Sequence, residues 1–385
     1  MMHSCDWYPY FPVRILRGSG LYLFADDGKR YMDTFSGIGV QVLGHSYVPV
    51  LRQMLRKMRR YTHLSNFFKD DDLDTCIYYL MEASGLGGGV FFTNSGTEAT
   101  ECALKVIKKH ADDEKNQILY FDHAFHGRTL GALSVNGFEG LSRPFKPLLP
   151  YTSMLPRNDP QSFNNFMKAN GHHVKAIFCE FIQGAGGVHP MDDAMAHCLK
   201  EWHSKLDFWW VADEIQSGLG RTGKMFSYQH YDVEPDMVLV GKGLGGGLPL
   251  SGVILHEKLK DMLKPGDHGS TFAPNPVALA GCRKILKKIP KFLPAVQAIA
   301  PAIREIIVEE MGDYVQEIRG EGFMMAIELK QTMPDLRLYA MEKHQLLLNV
   351  LQDKVVRLLP PLNTSLAQWK KMIHRLARSV KEVKK

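Results

Sequence analysis

Between residues 86 and 250, short apolar runs alternate with stretches in which apolar positions recur every three or four residues, the pattern of strand, amphipathic helix and strand again. It predicts strands at GGVFFTN (88–94), QILYFD (117–122), VKAIFCEF (174–181), FWWVADE (208–214), DMVLVGK (236–242) and LSGVILH (250–256). βαβ units of this kind predict an α/β fold built on a mostly parallel sheet flanked by helices. Ahead of this region, GSGLYLFADDGKRYMD reads as a hairpin turned by DDG, and beyond about residue 290 helices mix with a strand pair around FMMAIEL. The two ends together predict a smaller α+β domain, made of residues 1–45 and 266–385. Residues 46–265 form the large domain, and the Gly/Pro punctuation of KPGDHGS (264–270) marks the second boundary. Near the C-terminus, Trp369, Met372, Ile373, Leu376, Val380 and Val383 fall at helical spacing between Lys and Arg, which predicts an amphipathic closing helix with a solvated basic face.

The hydrophobic fraction is 45% and the charged fraction 23%, values that exclude collagen-like, coiled-coil and disordered classes. Part of the net charge of +6 lies in KKMIHRLARSVKEVKK, so the rest is nearly balanced and neither a nucleic-acid nor a membrane partner is expected. Cysteines at 5, 76, 102, 179, 198 and 282 form no CxxC pair, so zinc-ribbon and thioredoxin-type readings fail, no metal is expected, and free thiols in a reducing cytosol are the default. With no continuous apolar signal region and no run of ~18 apolar residues, the expectation is a soluble, cytoplasmic protein.

Several predicted strands end in a chemically active residue: Asn94, Asp122, Glu180, Asp213 and Lys242 stand where ligands collect in open α/β sheets. In NSGTEATECALKVIKKH, Ser95, Gly96 and Thr97 precede a helix that begins near Glu98. Two readings stay open: an anion cradle at a helix start, or a capping box in which Ser95 or Thr97 caps and Glu101 closes. The GxGxxG at Gly218, Gly220 and Gly223 is not a dinucleotide fingerprint, because DEIQS separates it from the strand. Asp213 follows an apolar and aromatic run, so its carboxylate requires a cationic partner. Lys242 precedes crowded glycines without P-loop spacing, and reads either as an amine kept from solvent for Schiff-base chemistry or as a snorkelling surface lysine. An anion cradle, a buried carboxylate, such a lysine and the aromatic in HAFHGRT (123–129) are the set that pyridoxal phosphate needs. Its phosphate wants a helix start, its ring nitrogen a carboxylate and its aldehyde a lysine.

The chain resembles the class III (fold type I) pyridoxal-phosphate aminotransferases, and within them the acetylornithine and ornithine aminotransferase subgroup. The likeness runs nearly end to end, through YLFADDGKRYMDTFSGIGVQVLGH, NSGTEATECALK, FHGRTLGALSVNG, EFIQGAGGVHP, ADEIQSGLGRTGKMF, GKGLGGGLPLSG, GDHGSTFAPNP, IRGEGFMMAIEL and VVRLLPPL. It implies a large domain with a mostly parallel, seven-stranded-type sheet. By resemblance, Lys242 bonds the cofactor aldehyde, Asp213 pairs with the pyridine nitrogen and Gln216 lies near the ring hydroxyl. Ser95, Gly96 and Thr97 would hold the phosphate, Phe125 would stack on the ring, and Ile215 would cover its other face. Thr271, beside Ser270, would reach the phosphate of a neighbouring subunit, which implies a homodimer with shared sites. Arg128 and Arg357 match the two substrate-carboxylate arginines, with Ser270 also on the substrate side. The expected reaction moves the terminal amino group of an N-acetylornithine-like ω-amino acid to 2-oxoglutarate. Alternatives are a 4-aminobutyrate or amine aminotransferase, a racemase or aminomutase on the same cofactor, and a non-catalytic homologue. Departures from the family pattern are Phe181 and Ala185 in EFIQGAGG, STFAPNP, and GHSYVP. They leave Lys242 and Asp213 untouched and put substrate choice in doubt.

Overall fold

A computed structural model describes Cys5 and residues 7–383. Its central sheet has seven strands in the order Gly87–Thr93, Ser251–His256, Met237–Val240, Trp209–Asp213, Val174–Cys179, Gln117–Phe121 and Thr152–Leu155. All run parallel except Ser251–His256, which is antiparallel to both neighbours. That strand follows Met237–Val240 through a Gly-rich turn with no crossover helix, a connection only an antiparallel pair accepts. The six strands expected from apolar runs are present. The seventh, Thr152–Leu155, is a four-residue edge strand with one fully buried side chain, too short and too exposed to stand out in the sequence.

Side chains alternate between the faces of this sheet. Val211, Leu239 and Val253 pack with Ala99, Ala103 and Val106 of the helix Gly96–Lys109, while Trp210, Val238 and Ile254 join a larger core with the helix Pro276–Lys288. A buried sheet on this scale fixes the strand ends rigidly, which a site built on them requires.

The two ends of the chain meet. Arg30–Asp33 of the N-terminal hairpin pairs in parallel with Leu346–Leu347, Met32 opposite Leu346. A second four-stranded sheet holds Val315–Glu321, Met324–Leu329, Val355–Leu358 and Asn349–Leu351. The closing helix is Leu366–Val383. Trp369, Met372, Ile373, Leu376 and Val380 are buried along it, and Val383 is half-buried.

Candidate active site

Asp213 is the last residue of its strand, Glu180 immediately follows Val174–Cys179, and Lys242 lies two residues beyond Met237–Val240. These carboxyl ends open into one cleft of about 740 Å³, its mouth included, within the size of small-molecule sites. Of the residues singled out in the sequence, Gly96, Thr97, Phe125, Arg128, Asp213, Ile215, Gln216 and Lys242 line it, and Ala185 and Glu180 share its wall.

The helix Gly96–Lys109 starts two residues earlier than expected, and its first turn is capped at Ser95 while Gly96 and Thr97 line the cleft. Ser95 is the N-cap, its Oγ accepting from Glu98 N at 3.4 Å. Ser95 is therefore occupied by the helix and does not line the cleft. The acid that closes the turn is Glu98, not Glu101: its Oε2 accepts from Asn94 N at 2.8 Å and Asn94 Nδ2 at 3.0 Å. Gly96 and Thr97 face the cleft, and as first-turn residues their N–H groups have no intrahelical acceptor. A side chain on Gly96 would meet Ile215 Cδ1 at 2.8 Å. Across the cradle, Thr97 Oγ1 accepts from the backbone N–H groups of Arg128 and Thr129, each at 3.3 Å. Gly127, at φ +139°, leaves no room for a Cβ against that hydroxyl.

The cationic partner that Asp213 requires is His126, a residue the sequence reading passed over. Its Nδ1 lies 2.7 Å from Asp213 Oδ2, while Asp213 Oδ1 accepts from Ile215 N at 3.0 Å. Burial of His126 opposes its charged form, yet the hydrogen bond to Asp213 and that carboxylate's charge outweigh burial and raise its pKa above the ordinary 6.5. The imidazole thus gives the buried Asp213 carboxylate a hydrogen-bonded, charge-compensating partner. HAFHGRT carries this histidine one residue past Phe125, but a buried histidine looks like a surface one until its partner, 87 residues away, is in place.

Lys242 sits at φ +39°, and burial pushes its ammonium below the ordinary 10.5. The charges of Asp213 and Glu180 push the other way, and Arg357 adds to the lowering. Its side chain lines the cleft. A desolvated amine reaches its neutral, nucleophilic form more readily than a solvated one.

Of the two arginines, Arg128 lines the cleft, whereas Arg357 does not and reaches it through Gln216. Arg128 is exposed, with its guanidinium carbon 5.7 Å from the centre of the Phe125 ring. Arg357 is 5% exposed, and burial pulls its pKa down to about 10. Its Nη1 donates to Gly184 O at 2.9 Å and Gln216 Oε1 at 3.2 Å, and its Nε donates to Asn349 Oδ1 at 2.9 Å. Every one of these partners is a neutral oxygen.

Ser270 and Thr271 stand apart from this cleft. Ser270 Oγ accepts from Asn94 Nδ2 at 2.8 Å, its carbonyl accepts from Asn66 Nδ2 at 2.8 Å, and Thr271 is exposed beside Phe272.

The donor set fits pyridoxal phosphate: a helix start whose small residues leave room for an anion, a carboxylate buried against His126, and a lysine on the wall of the same cleft. Comparison with known proteins agrees. The class III aminotransferase family model matches residues 4–380. An acetylornithine aminotransferase of Aquifex aeolicus is 36% identical over 365 residues, covering 94% of this chain and 95% of that one. The crystal structure of the ornithine aminotransferase from Toxoplasma gondii superposes with a TM-score of 0.92 at 28% identity, over 99% of this chain and 93% of that one. A further structure of that enzyme, with partial occupancy of pyridoxal phosphate at its active site, gives 0.91 at 29%, with the same coverage. With its family model matched almost end to end, its seven-stranded sheet and its cofactor-shaped cleft, the chain belongs to the class III aminotransferases and works with pyridoxal 5'-phosphate.

Proposed function

We propose that the protein transfers the terminal amino group of an ω-amino acid, N-acetylornithine or a close analogue, to 2-oxoglutarate, giving a semialdehyde and glutamate. The observation that carries this reading is a cleft lined by Lys242 and Arg128, with Arg357 held against its wall through Gly184 and Gln216, beside the acetylornithine aminotransferase likeness. Gly96 and Thr97 would hold the phosphate, Phe125 and Ile215 the two ring faces, Asp213 the ring nitrogen, and Gln216 the side of the ring hydroxyl. Bound there, pyridoxal phosphate supplies the electron sink that stabilises negative charge at the reacting carbon. Asp213, partnered by His126, would sustain that property by pairing with the ring nitrogen. The Lys242 amine, when free, would take the proton from the reacting carbon and return it during the exchange. Arg128 holds a distal carboxylate. Arg357 would hold the carboxylate beside the reacting carbon through Nη2, the nitrogen without an acceptor among the described residues.

The working unit in this reading is a homodimer. Val48, Leu51, Leu55 and Met58 make an exposed apolar stripe along the helix Val48–Met58, and Phe67, Phe68 and Phe272 extend it, at 93, 69 and 66% exposure. His63 stacks near Phe272, with ring centres 5.8 Å apart, so this surface continues into the segment that carries Thr271. A second copy covering it would bring Thr271 to the partner's phosphate and bury side chains that water solvates poorly.

A panel of N-acetylornithine, ornithine and 4-aminobutyrate, each with 2-oxoglutarate, tests the reaction. Glutamate should form fastest from N-acetylornithine. Conversion of an amino acid without any oxo acid would identify a racemase or aminomutase instead.

A further inference from the structure

We infer that Asn349 is a positioning residue, which fixes Arg357 as a standing receptor for the carboxylate beside the reacting carbon; this rests on the proposed role of Arg357. Asn349 and Arg357 are opposite residues in the antiparallel pair Asn349–Leu351 and Val355–Leu358. Opposite residues project their side chains on the same face of a sheet, and here Asn349 Oδ1 accepts from Arg357 Nε at 2.9 Å. Gly184 O and Gln216 Oε1 take the hydrogens of Nη1. Nη2 has no hydrogen-bond acceptor among the described residues. The guanidinium plane is therefore set before any ligand arrives, and Nη2 is left to bind one.

The chemistry of the restraint matters as much as its place. An arginine has many rotamers, and a ligand that must immobilise it binds less tightly. Asparagine immobilises it with a neutral oxygen and so takes none of its charge, leaving Glu180 on the cleft wall as the carboxylate that acts on it. A carboxylate at position 349 would hold Nε equally well and neutralise the group it positions. Ala185 places no charge beside the arginine either. The class of ligand that such a clamp serves is a 2-oxo or 2-amino acid whose carboxylate adjoins the reacting carbon.

Asn349→Ala and Asn349→Asp, made in the holoenzyme, separate the two effects. The readouts are the dissociation constant of glutarate by calorimetry, the KM for 2-oxoglutarate, and the half-reaction of N-acetylornithine, whose reacting carbon bears no carboxylate. Loss of one side-chain restraint should weaken glutarate binding and raise the KM for 2-oxoglutarate about five- to tenfold in the alanine variant. The N-acetylornithine half-reaction should stay within about twofold. The aspartate variant, of the same shape, should weaken glutarate binding as well, and carries the test should alanine prevent folding. Glutarate affinity and the KM for 2-oxoglutarate unchanged in both variants would overturn the role of Asn349. A parent enzyme that binds no glutarate and does not use 2-oxoglutarate would overturn the role of Arg357 instead.

Discussion

Ala185→Glu should convert a standing receptor into a switched one. Ala185 lines the cleft and follows Gly184, whose carbonyl already accepts from Arg357 Nη1 at 2.9 Å, so a glutamate there has both the room and the proximity to pair with the guanidinium. Arg357 now has only neutral acceptors, and burial holds it at about 10 against an ordinary 12.5. Setting a carboxylate acceptor, at ~1.5–3 kcal/mol, against a neutral one, at about 1 kcal/mol net, gives the arginine ~0.5–2 kcal/mol that an incoming carboxylate must displace. Full reversal of the burial effect, from about 10 back to 12.5, sets an upper bound of ~3.4 kcal/mol. The affinity for glutamate and 2-oxoglutarate should therefore fall ~2- to 30-fold. The half-reaction with N-acetylornithine should quicken, because that donor no longer faces an uncompensated buried cation. Stopped-flow half-reactions with the two donors measure both effects. A ratio between donors that is unchanged in the variant would refute the reasoning.

Asp213→Asn should fold yet lose most turnover, because the amide cannot keep the ring nitrogen protonated and removes the charge that holds up the His126 pKa; near-normal kcat in a folded variant would contradict this. Gly127→Ala should weaken cofactor binding at least ~10-fold, measured by titrating the apoenzyme, since a Cβ at φ +139° strikes the Thr97 hydroxyl. Mixing inactive Lys242→Ala subunits with inactive Thr271→Ala subunits should restore activity through one native composite site per heterodimer; no recovery despite proven exchange would refute the shared site. His189 is held near 4, against 6.5, by burial and by the charges of Arg157 and Arg319. The folded state thus binds fewer protons than the unfolded chain between those values, and stability falls as pH drops from about 6.5 towards 4. For this half-exposed group the loss should be ~1–2 kcal/mol after solvent screening. Denaturation at pH 7.5 and 5.0 should show this component missing in His189→Gln.

Apolar runs closed by a polar residue made the strand ends legible, because a strand buried on both faces has little choice of composition and an acid or amine at its end must meet a partner. Asp213 and Lys242 were found this way. What stayed hidden depends on pairings that spacing does not encode. His126 meets its carboxylate across 87 positions, and Glu98 rather than Glu101 closes the cradle because the helix begins at Gly96. Asn349 acquires its role only from the register that sets it opposite Arg357. Thr152–Leu155, at the sheet edge, lacks the apolar signature of its buried neighbours. The positions of Ser270 and Thr271 outside the cleft of their own chain, beside an exposed apolar surface, have no signature in one sequence, since their counterpart in the proposed dimer is another copy of it.

The account turns on Lys242 as the residue that holds the cofactor. Borohydride reduction of the holoenzyme, digestion and peptide mapping test it most directly, since reduction fixes the cofactor to whichever amine carries it. The adduct is expected on Lys242 alone, with none formed in Lys242→Ala. A reduced adduct on any other lysine of the parent enzyme, or none while cofactor is bound, would contradict the assignment.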